Sequence, residues 1–315
     1  MYITYYTYTT RQLDNSTMAP VYRIKIFSSF CNSHHAKSIV EELVTENIDI
    51  YGSAPEKRVF VVDADADDYT HVIIWNTAMP DIPPHIPKKN VIGLAYEPRA
   101  YLQLNAAFLA YASKYIHTYY LGDAHGLPAP FVQGNAFLIY SPPRPRHIPF
   151  KHSCMSIIVS HKKHLHGHIY RHALAQTILT SNLPIDIYGT GCTGKGKYSH
   201  FRDARVKGKF TKYEPYDGYL FTICIENTRS EDYFSEKIIN PLLCNTTPVY
   251  LGCRNIHKYF PGNAIELSGD ISEDVAMLVR ILQDPVFFSK RIDRTAIEKK
   301  VSLVHNVDAL FPIHP

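Results

Sequence analysis

The residues best suited to chemistry are concentrated between residues 226 and 237. An apolar run ends in Glu226, a polar loop follows, and Ser235-Glu236-Lys237 comes after the loop. Because serine is a preferred N-cap residue, Ser235 predicts a helix whose first turn carries Glu236 and Lys237. The free backbone N–H groups of a helix start, together with a lysine, bind anions such as phosphates. The segment therefore predicts an anion site; the alternative is an ordinary strand–helix unit with a charged helix start.

The same segment also carries side chains that suit a nucleotide. Asn227 offers an amide, Tyr233 an aromatic ring and Glu236 a carboxylate, which together match a base, a ribose and the ribose hydroxyls. A second apolar run, Thr247–Leu251, predicts a strand that packs beside the strand ending at Glu226. Ligands of parallel sheets bind at the carboxyl ends of strands, which is where these side chains are expected.

A glycine-rich segment, Gly189–Gly196, follows another predicted strand and fits the pattern G-x-G-x-x-G. It is not a P-loop, because Gly196 occupies the place of the Ser or Thr that holds magnesium. The segment after it does not open an apolar-faced helix, as a dinucleotide site requires. We expect a flexible loop at a strand end. A loop that touches a ligand is one alternative, and the phosphate cradle of a nucleotide phosphatase or kinase is another.

Two further groups have the composition of metal ligands. Carboxylates at alternate positions follow an apolar run: Asp63, Asp65 and Asp67. They could hold a divalent cation with a sugar-nucleotide diphosphate, but a polar turn that ends a strand is favoured. Histidines crowd residues 161–172, three of them at helical spacing: His164, His168 and His172. Because no acidic third ligand has a recognisable spacing, a solvated, basic helix entry is favoured over zinc.

The composition excludes several classes of protein. The chain has 315 residues, 45% hydrophobic and 20% charged, so it is neither disordered, collagen-like nor a small disulfide scaffold. A net charge of +4 is too small to predict nucleic-acid binding. The six cysteines form no C-x-x-C pair, which favours free thiols in a reducing compartment. No apolar segment is long enough to span a membrane and no signal pattern opens the chain, so we expect a soluble, cytoplasmic protein.

Short apolar runs alternate with helical patterns along the chain, which predicts parallel sheets with helices on both faces. The main predicted strands are Tyr22–Phe27, Val59–Val62, Val72–Trp75, Val91–Ala95, Tyr115–Tyr120, Ser156–Ser160, Ile185–Tyr188, Tyr219–Ile225 and Thr247–Leu251. The main predicted helices are Ala36–Thr45, Tyr101–Ala112, 167–181 and 235–244, with two more filling 271–298.

A proline-rich segment, Ser141–Pro149, predicts a stiff linker between two halves of the chain. We therefore expect a polar, mobile arm at 1–20, a first Rossmann-like domain at 21–145 and a second at 150–315. The expected fold class is α/β, with two Rossmann-type domains that face an interdomain cleft.

The chain resembles a known family where its chemical side chains are densest. Phe221, Glu226-Asn227, Tyr233 and Glu236-Lys237, followed by Pro248–Gly252, resemble the donor-binding signature of glycosyltransferase family 10, the α1,3/4-fucosyltransferases. The resemblance covers about 216–270, and a weaker one runs over 156–189. It implies a GT-B fold, GDP-fucose as co-substrate, inversion at the anomeric carbon and no metal in the chemistry.

The resemblance also implies roles for individual residues. Lys237 and Arg171 pair with the donor diphosphate and Glu236 hydrogen-bonds its ribose, while Asn227 and Tyr233 line the nucleotide-sugar pocket. For Arg171, the alternative is an arginine on a helix surface.

An acceptor base is implied in the first half of the chain. Ala95–Pro98 resembles a segment of the family that carries a glutamate, which makes Glu97 the base for an oligosaccharide acceptor. A buried strand precedes Glu97, so its carboxylate can face the cleft. A surface residue that begins a turn at Pro98 is the alternative.

Two features leave alternatives open. Pro241 lies inside the predicted helix, removes a backbone hydrogen bond to Lys237 and predicts a kink.

A relative that uses another donor, such as UDP-xylose, would keep the diphosphate site and change the sugar pocket. A non-catalytic carbohydrate-binding protein on the same fold is the alternative of a different class, since 23 tyrosines and Trp75 offer stacking surfaces. The sequence leaves the oligomeric state open.

Overall fold

Two parallel six-stranded sheets form the framework of the protein, as the alternating pattern predicts. The computed structural model describes residues 21–38, 59–139, 150–211 and 213–311. The arm predicted at 1–20, the helix predicted beyond residue 38 and the linker predicted at Ser141–Pro149 lie outside these residues.

The first sheet has the strand order β2-β1-β3-β4-β5-β6, and every pair is parallel. Its strands are β1 (Tyr22–Ser28), β2 (Val59–Val61), β3 (His71–Trp75), β4 (Val91–Leu94), β5 (Thr118–Leu121) and β6 (Phe131–Gln133). Its helices are α1 (33–38), α2 (Arg99–Leu102) and α3 (Ala106–Tyr115). The side chains of β4 are buried along its whole length, because the sheet has an apolar core on each face.

The helix predicted over Tyr101–Ala112 is divided into α2 and α3. Gln103 adopts a left-handed backbone conformation with φ of 50°, which ends α2. Asn105 then caps α3 by accepting a hydrogen bond from the Phe108 N–H. The prediction of one continuous helix was wrong, because the periodicity of the apolar residues does not show that α2 ends at Leu102 and α3 begins at Ala106.

The second sheet has the order β12-β11-β10-β7-β8-β9 and is again parallel. Its strands are β7 (Ser153–Ile158), β8 (Ile185–Tyr188), β9 (Val206–Gly208), β10 (Tyr219–Ile225), β11 (Thr247–Leu251) and β12 (Ile265–Glu266). The helices are α4 (His166–Thr180), α5 (Glu214–Asp217), α6 (Glu236–Leu243), α7 (Ile271–Gln283), α8 (Pro285–Phe288), α9 (Arg294–Val301) and α10 (Leu303–Leu310). Pro241 lies inside α6, which continues to Leu243.

The last helix, α10, returns to the first sheet. Leu303, Val304 and Val307 are buried in the same core cluster as the strands β1 and β3. The Tyr22 hydroxyl donates to an Asp308 carboxylate oxygen at 2.6 Å. The predicted boundary at 150–315 assigned this helix to the second half, whereas its apolar side chains complete the core of the first.

The glycine-rich segment Gly189–Gly196 lies at a strand end, as predicted, and is held by hydrogen bonds of its backbone. The Gly191 N–H donates to the Val159 carbonyl at 2.8 Å, and the Cys192 N–H to the Gly189 carbonyl at 3.0 Å. A Cβ atom on Gly189 would lie 2.4 Å from the same Val159 oxygen. The glycines therefore let the loop pack against the end of β7, and these N–H groups donate within the protein rather than to a phosphate.

The acidic group after β2 does not converge on one point. Asp63 pairs with Lys37, and the part of the chain that the structure describes contains no cluster of three His, Cys, Asp or Glu side chains arranged to hold a metal ion. In the same residues, no helix is both long and apolar enough to cross a membrane.

Candidate active site

The carboxyl ends of the central strands of both sheets border one cavity of about 540 Å³. The first sheet contributes Phe30 after β1, Asn76 after β3, and Tyr96 and Glu97 after β4. The second contributes residues from the ends of β7 and β10 and from the starts of α4 and α6. All six side chains predicted for the site line this cavity: Glu97, Arg171, Asn227, Tyr233, Glu236 and Lys237.

Ser235 caps α6, as its residue type predicts. Its Oγ atom accepts hydrogen bonds from the Lys237 backbone N–H at 3.4 Å and from Lys237 Nζ at 2.9 Å. The same ammonium group lies 2.9 Å from Glu236 Oε1. The helix start therefore carries a tethered cation at the cavity wall.

Glu226 organises this helix start, a role that sequence reasoning missed. The side chain is 1% exposed and accepts hydrogen bonds from the Ser235 N–H at 2.8 Å and the Ser235 hydroxyl at 2.7 Å. Lys237 Nζ lies 3.6 Å away. Burial raises the pKa of Glu226 and the Lys237 charge opposes that shift. The signal available in the sequence was a carboxylate directly after a mainly apolar, buried strand, because a buried carboxylate needs a partner.

Arg171 is buried in α4 and does not lie on the helix surface. One guanidinium N–H group donates to the Ile225 carbonyl at the end of β10. The other N–H groups of Arg171 have no partner within the described residues. Burial lowers the pKa of Arg171 and the nearby Glu226 and Glu236 oppose that shift, so arginine remains a cation at any physiological pH.

The two charges at the start of α6 stabilise each other. Burial raises the pKa of Glu236, but the charge and hydrogen bond of Lys237 outweigh that effect and leave it below its ordinary value. Burial lowers the pKa of Lys237, yet Glu236 and Glu226 outweigh it and the net shift is upward. Both groups are therefore ionised at neutral pH, so Lys237 brings a positive charge to the cavity beside the negative charge of Glu236, and Arg171 brings a second positive charge.

Glu97 lies on the other side of the cavity, directly after β4. The backbone before it is fixed by a hydrogen bond from the Tyr96 N–H to Asn76 Oδ1 at 2.9 Å. The side chain is half-buried and lines the cavity wall. Burial raises the pKa of Glu97 above its ordinary value of 4.5, and the Lys237 charge partly counters the shift. Such a carboxylate is a stronger base than an exposed one.

Asn227 is positioned by close packing between β10 and α4. Its carbonyl accepts a hydrogen bond from the Gly167 N–H at 3.1 Å. A Cβ atom on Gly167 would lie only 1.8 Å from the Glu226 carbonyl oxygen. Glycine at this position therefore lets the start of α4 approach the end of β10, which brings the side chains of both elements to one cavity.

The residues on either side of Tyr233 are held by side chains from the end of β6 and the loop after it. Asn135 is buried and donates through Nδ2 to the carbonyls of Asp232 at 3.0 Å and Phe234 at 3.1 Å, on either side of Tyr233. The Asp232 carboxylate also accepts a hydrogen bond from Gln133 at 3.0 Å. Burial raises the pKa of Asp232, but the hydrogen bond from Tyr259 and those from its other partners outweigh it and give a pKa of about 2. Sequence reasoning missed this network because it joins residues about a hundred positions apart.

The histidine-rich segment is only partly the solvated, basic entry that was predicted. His164 is exposed, but His168 and His172 are 3% and 6% exposed. Burial lowers the pKa of His168 to about 4, and the adjacent Arg171 charge acts in the same direction. These two histidines are therefore neutral at pH 7, because they lie on the face of α4 that packs inward.

Comparisons with known proteins find similarity to glycosyltransferases in sequence and in fold. The profile of "Glycosyltransferase family 10 (fucosyltransferase) C-term" matches residues 148–282. A protein from Danio rerio named GDP-fucose protein O-fucosyltransferase 3 is 29% identical over 116 residues, which cover 37% of this chain and 24% of that protein. An alpha-(1,4)-fucosyltransferase from Arabidopsis thaliana is 32% identical over 75 residues, which cover 23% of this chain and 19% of that enzyme. The matches thus span about a quarter or less of these relatives.

Solved structures extend the similarity to both sheets. A crystal structure of an alpha1,3-fucosyltransferase with GDP-fucose has a TM-score of 0.53 at 12% identity and covers 97% of this chain and 95% of its own. A DNA-modifying beta-glucosyltransferase has a TM-score of 0.51 at 10% identity and covers 92% of this chain and 100% of its own. These likenesses confirm the predicted GT-B fold. Residues 148–282 match the model of glycosyltransferase family 10, and they lie in the second half of a chain with the two-sheet fold of GT-B glycosyltransferases.

Proposed function

We propose that the protein is an inverting, metal-independent glycosyltransferase that moves fucose from GDP-fucose to a hydroxyl of an oligosaccharide acceptor. One observation carries the proposal: the cations Arg171 and Lys237 and the carboxylate Glu97 line a single cavity between the two sheets. These are the groups that a direct displacement at a sugar carbon needs.

The second half of the chain supplies the donor site. Arg171 and Lys237 bind the diphosphate, Glu236 accepts hydrogen bonds from the ribose, and Asn227 and Tyr233 line the nucleotide-sugar pocket. As the bond between the anomeric carbon and the diphosphate breaks, its electron pair goes to the phosphate oxygen. The two cations stabilise that growing negative charge, each contact contributing about 1.5–3 kcal/mol. They provide the charge that a divalent metal provides in other transferases, which supports a metal-independent reaction.

The first half supplies the base. Glu97 accepts the proton of the acceptor hydroxyl while the hydroxyl oxygen forms the new bond to the anomeric carbon. The oxygen approaches from the face opposite the departing diphosphate, so the configuration inverts. A half-buried carboxylate with a raised pKa suits this step, because proton transfer is most efficient when the pKa of the base approaches the working pH.

The donor nucleotide is tested by binding. GDP-fucose is favoured over UDP-xylose because the Danio rerio relative is named for GDP-fucose and the alpha1,3-fucosyltransferase was solved with it. A thermal-shift panel of GDP-fucose, UDP-xylose, UDP-galactose, GDP and UDP measures the choice, since a ligand of the folded state raises Tm by mass action. We expect GDP and GDP-fucose to give the largest shifts. Larger shifts with the uridine nucleotides would overturn the donor assignment, and no shift with any of them would overturn the transferase proposal.

An exposed aromatic ring marks the acceptor side of the cavity. Phe30 is 55% exposed and lies parallel to Trp75, with ring centroids 5.7 Å apart and an angle of 6° between the planes. Trp75 in turn contacts Tyr96, the neighbour of Glu97, edge to face at 5.1 Å. One face of the Phe30 ring is therefore occupied, and its opposite face is available to pack against a sugar ring near the base.

Phe30→Ala is expected to raise the KM for an oligosaccharide acceptor about 3- to 10-fold, since packing on an aromatic ring contributes about 0.5–1.5 kcal/mol. The Kd for the donor nucleotide should not change, because Phe30 lies on the opposite side from Arg171 and Lys237. Phe287→Ala is the matched control, as this ring is 74% exposed and does not line the cavity. An unchanged acceptor KM in the Phe30 variant would contradict this placement of the acceptor.

We also propose a cytoplasmic location. All six cysteines of the chain lie within the described residues and are free thiols, which is typical of proteins in a reducing compartment. Fluorescence microscopy of the tagged protein in its own cells tests the location, and recovery with a secreted or membrane fraction would overturn it.

A further inference from the structure

A buried histidine lines the cavity and is not among the residues that the proposed mechanism uses. His168 lies in the first turn of α4, is 3% exposed and lines the cavity together with Arg171 and Lys237. Buried polar side chains in folded proteins are nearly always hydrogen-bonded at each polar atom. The partners of the two ring nitrogens of His168 therefore indicate what the residue does.

One ring nitrogen is fixed by the backbone. The Leu165 N–H, at the N-cap of α4, donates to Nδ1 of His168 at 3.3 Å. Because a backbone N–H can only donate, Nδ1 is an acceptor and carries no proton. In the neutral ring the proton must therefore be on Nε2, so the hydrogen bond selects the tautomer.

The other ring nitrogen is available. Nε2 has no hydrogen-bond partner among the described residues, and the side chain that carries it faces the cavity. Four charged or titratable groups surround the ring: Arg171 in α4, His164 just before α4, Lys162 in the loop after β7, and Lys237 at the start of α6. These neighbours and the positive end of α4 disfavour a second proton on the ring. His168 therefore presents one N–H donor in a region that attracts anions.

We propose that His168 binds the diphosphate of the donor through Nε2–H, as a neutral hydrogen-bond donor that acts beside the cations Arg171 and Lys237. This inference rests on the proposed function and adds a donor-binding residue to it. The start of α4 contributes its positive dipole end to the same anion, and the helix is long enough, at 15 residues, for that dipole to be developed.

A neutral donor has a specific advantage at this position. The charged groups that act on the His168 ring include Arg171, Lys162 and Lys237, so they would repel a positive charge on the ring. A fixed N–H dipole strengthens its hydrogen bond as negative charge grows on the leaving diphosphate, and it needs no reorganisation during the reaction. His168 therefore needs no proton uptake to act, and donor affinity should not depend on its titration.

Three substitutions distinguish the contribution of Nε2 from that of Nδ1. His168→Asn places an amide oxygen near the position of Nδ1, so it can still accept from the Leu165 N–H, but it has no group at Nε2. His168→Gln carries its amide N–H₂ group out to the Nε2 position. His168→Ala removes both groups. Calorimetry then measures the Kd for the nucleoside diphosphate that the wild-type protein binds, GDP or UDP, and for the corresponding nucleoside.

We expect His168→Ala and His168→Asn to weaken diphosphate binding about 10- to 100-fold and His168→Gln to restore most of it, since a hydrogen bond to a charged group contributes about 1.5–3 kcal/mol. Nucleoside binding should change little in all three. Between pH 6 and 8 the Kd for the diphosphate should change to the same extent in the wild-type protein and in the glutamine variant, because the terminal phosphate of the ligand titrates at a pH of about 6 and His168 does not titrate in this range.

Two outcomes would overturn the inference. If His168→Asn binds the diphosphate as well as the wild type does, the residue acts only as a helix cap. If affinity falls equally for diphosphate and nucleoside, His168 supports the fold of the pocket and not the diphosphate. Wild-type protein that binds neither nucleoside diphosphate would instead overturn the proposed function itself, and the inference with it.

Discussion

Glu97→Gln is expected to lower kcat about 10²- to 10⁴-fold, because the substitution removes the group that accepts the acceptor proton. The donor Kd should stay unchanged, since Arg171 and Lys237 are intact and glutamine has nearly the same shape as glutamate. Steady-state transfer measures kcat, and calorimetry with the nucleoside diphosphate measures the Kd. A lower kcat with an unchanged donor Kd indicates a lost base, whereas a misfolded site would change both quantities.

The pH profile provides a second check on Glu97. Burial raises the pKa of Glu97 above 4.5, and the ionised form is the active base. The value of kcat/KM should therefore rise with pH through the raised pKa and reach its plateau above it, so the acidic limb lies at a higher pH than for an exposed carboxylate. Glu97→Gln should lose this limb. Glu273→Gln, on the exposed first turn of α7, is the control and should keep both the limb and the rate. Normal transfer by the Glu97 variant would remove this residue from the mechanism.

Lys237→Met is expected to weaken binding of the donor nucleotide about 10- to 100-fold, because a charge-assisted contact with the diphosphate is lost. Methionine keeps much of the length of the lysine stem, so the loss reports charge more than volume. The rate of transfer should fall as well, since Lys237 also stabilises the departing diphosphate. Affinity for the nucleoside without phosphates should change little, and calorimetry with both ligands measures the difference.

The same substitution also changes the buried surroundings of Lys237. Glu226, which is 1% exposed, would lose the cation 3.6 Å away, and a buried carboxylate without its partner destabilises the folded state. We therefore expect a lower Tm for Lys237→Met than for the control Lys299→Ala, whose side chain is exposed in the last turn of α9. A folded Lys237 variant with unchanged affinity for the nucleotide would contradict the assignment of Lys237 to the donor site. If the whole site is assigned wrongly, Arg171→Met will also bind the nucleotide with unchanged affinity.

Several elements follow from the sequence because their signals are local. The strands β10 (Tyr219–Ile225) and β11 (Thr247–Leu251) have the predicted bounds, since each is a mainly apolar run of strand length, which is typical of a strand buried on both faces. The N-cap at Ser235 likewise depends on one residue type next to one backbone turn. Side chains that follow such strands must lie at the carboxyl edge of a parallel sheet, so the neighbourhood of Asn227, Tyr233 and Lys237 could be predicted.

The surroundings of the same residues could not be predicted in this way. The pattern of α4 did not distinguish a buried Arg171 from an exposed one, because the histidines give this helix polar residues on its inward face. The environment of Tyr233 depends on Gln133 and Asn135, which reach Asp232 and Phe234 from the other half of the chain.

The sequence by itself determined the α/β fold class, the resemblance of the second half to glycosyltransferase family 10 and the charged residues that line the cavity, because these depend on residue types and on spacings within one strand–helix unit. Only the tertiary structure decided that Glu97 faces Arg171 and Lys237 across one cavity, that Glu226 holds the start of α6, and that α10 completes the core of the first sheet. Contacts of this kind join segments that are far apart in the chain, and each depends on which face of an element is buried. The burial that raises the pKa of Glu97 therefore arises only when the two sheets and their helices are packed together.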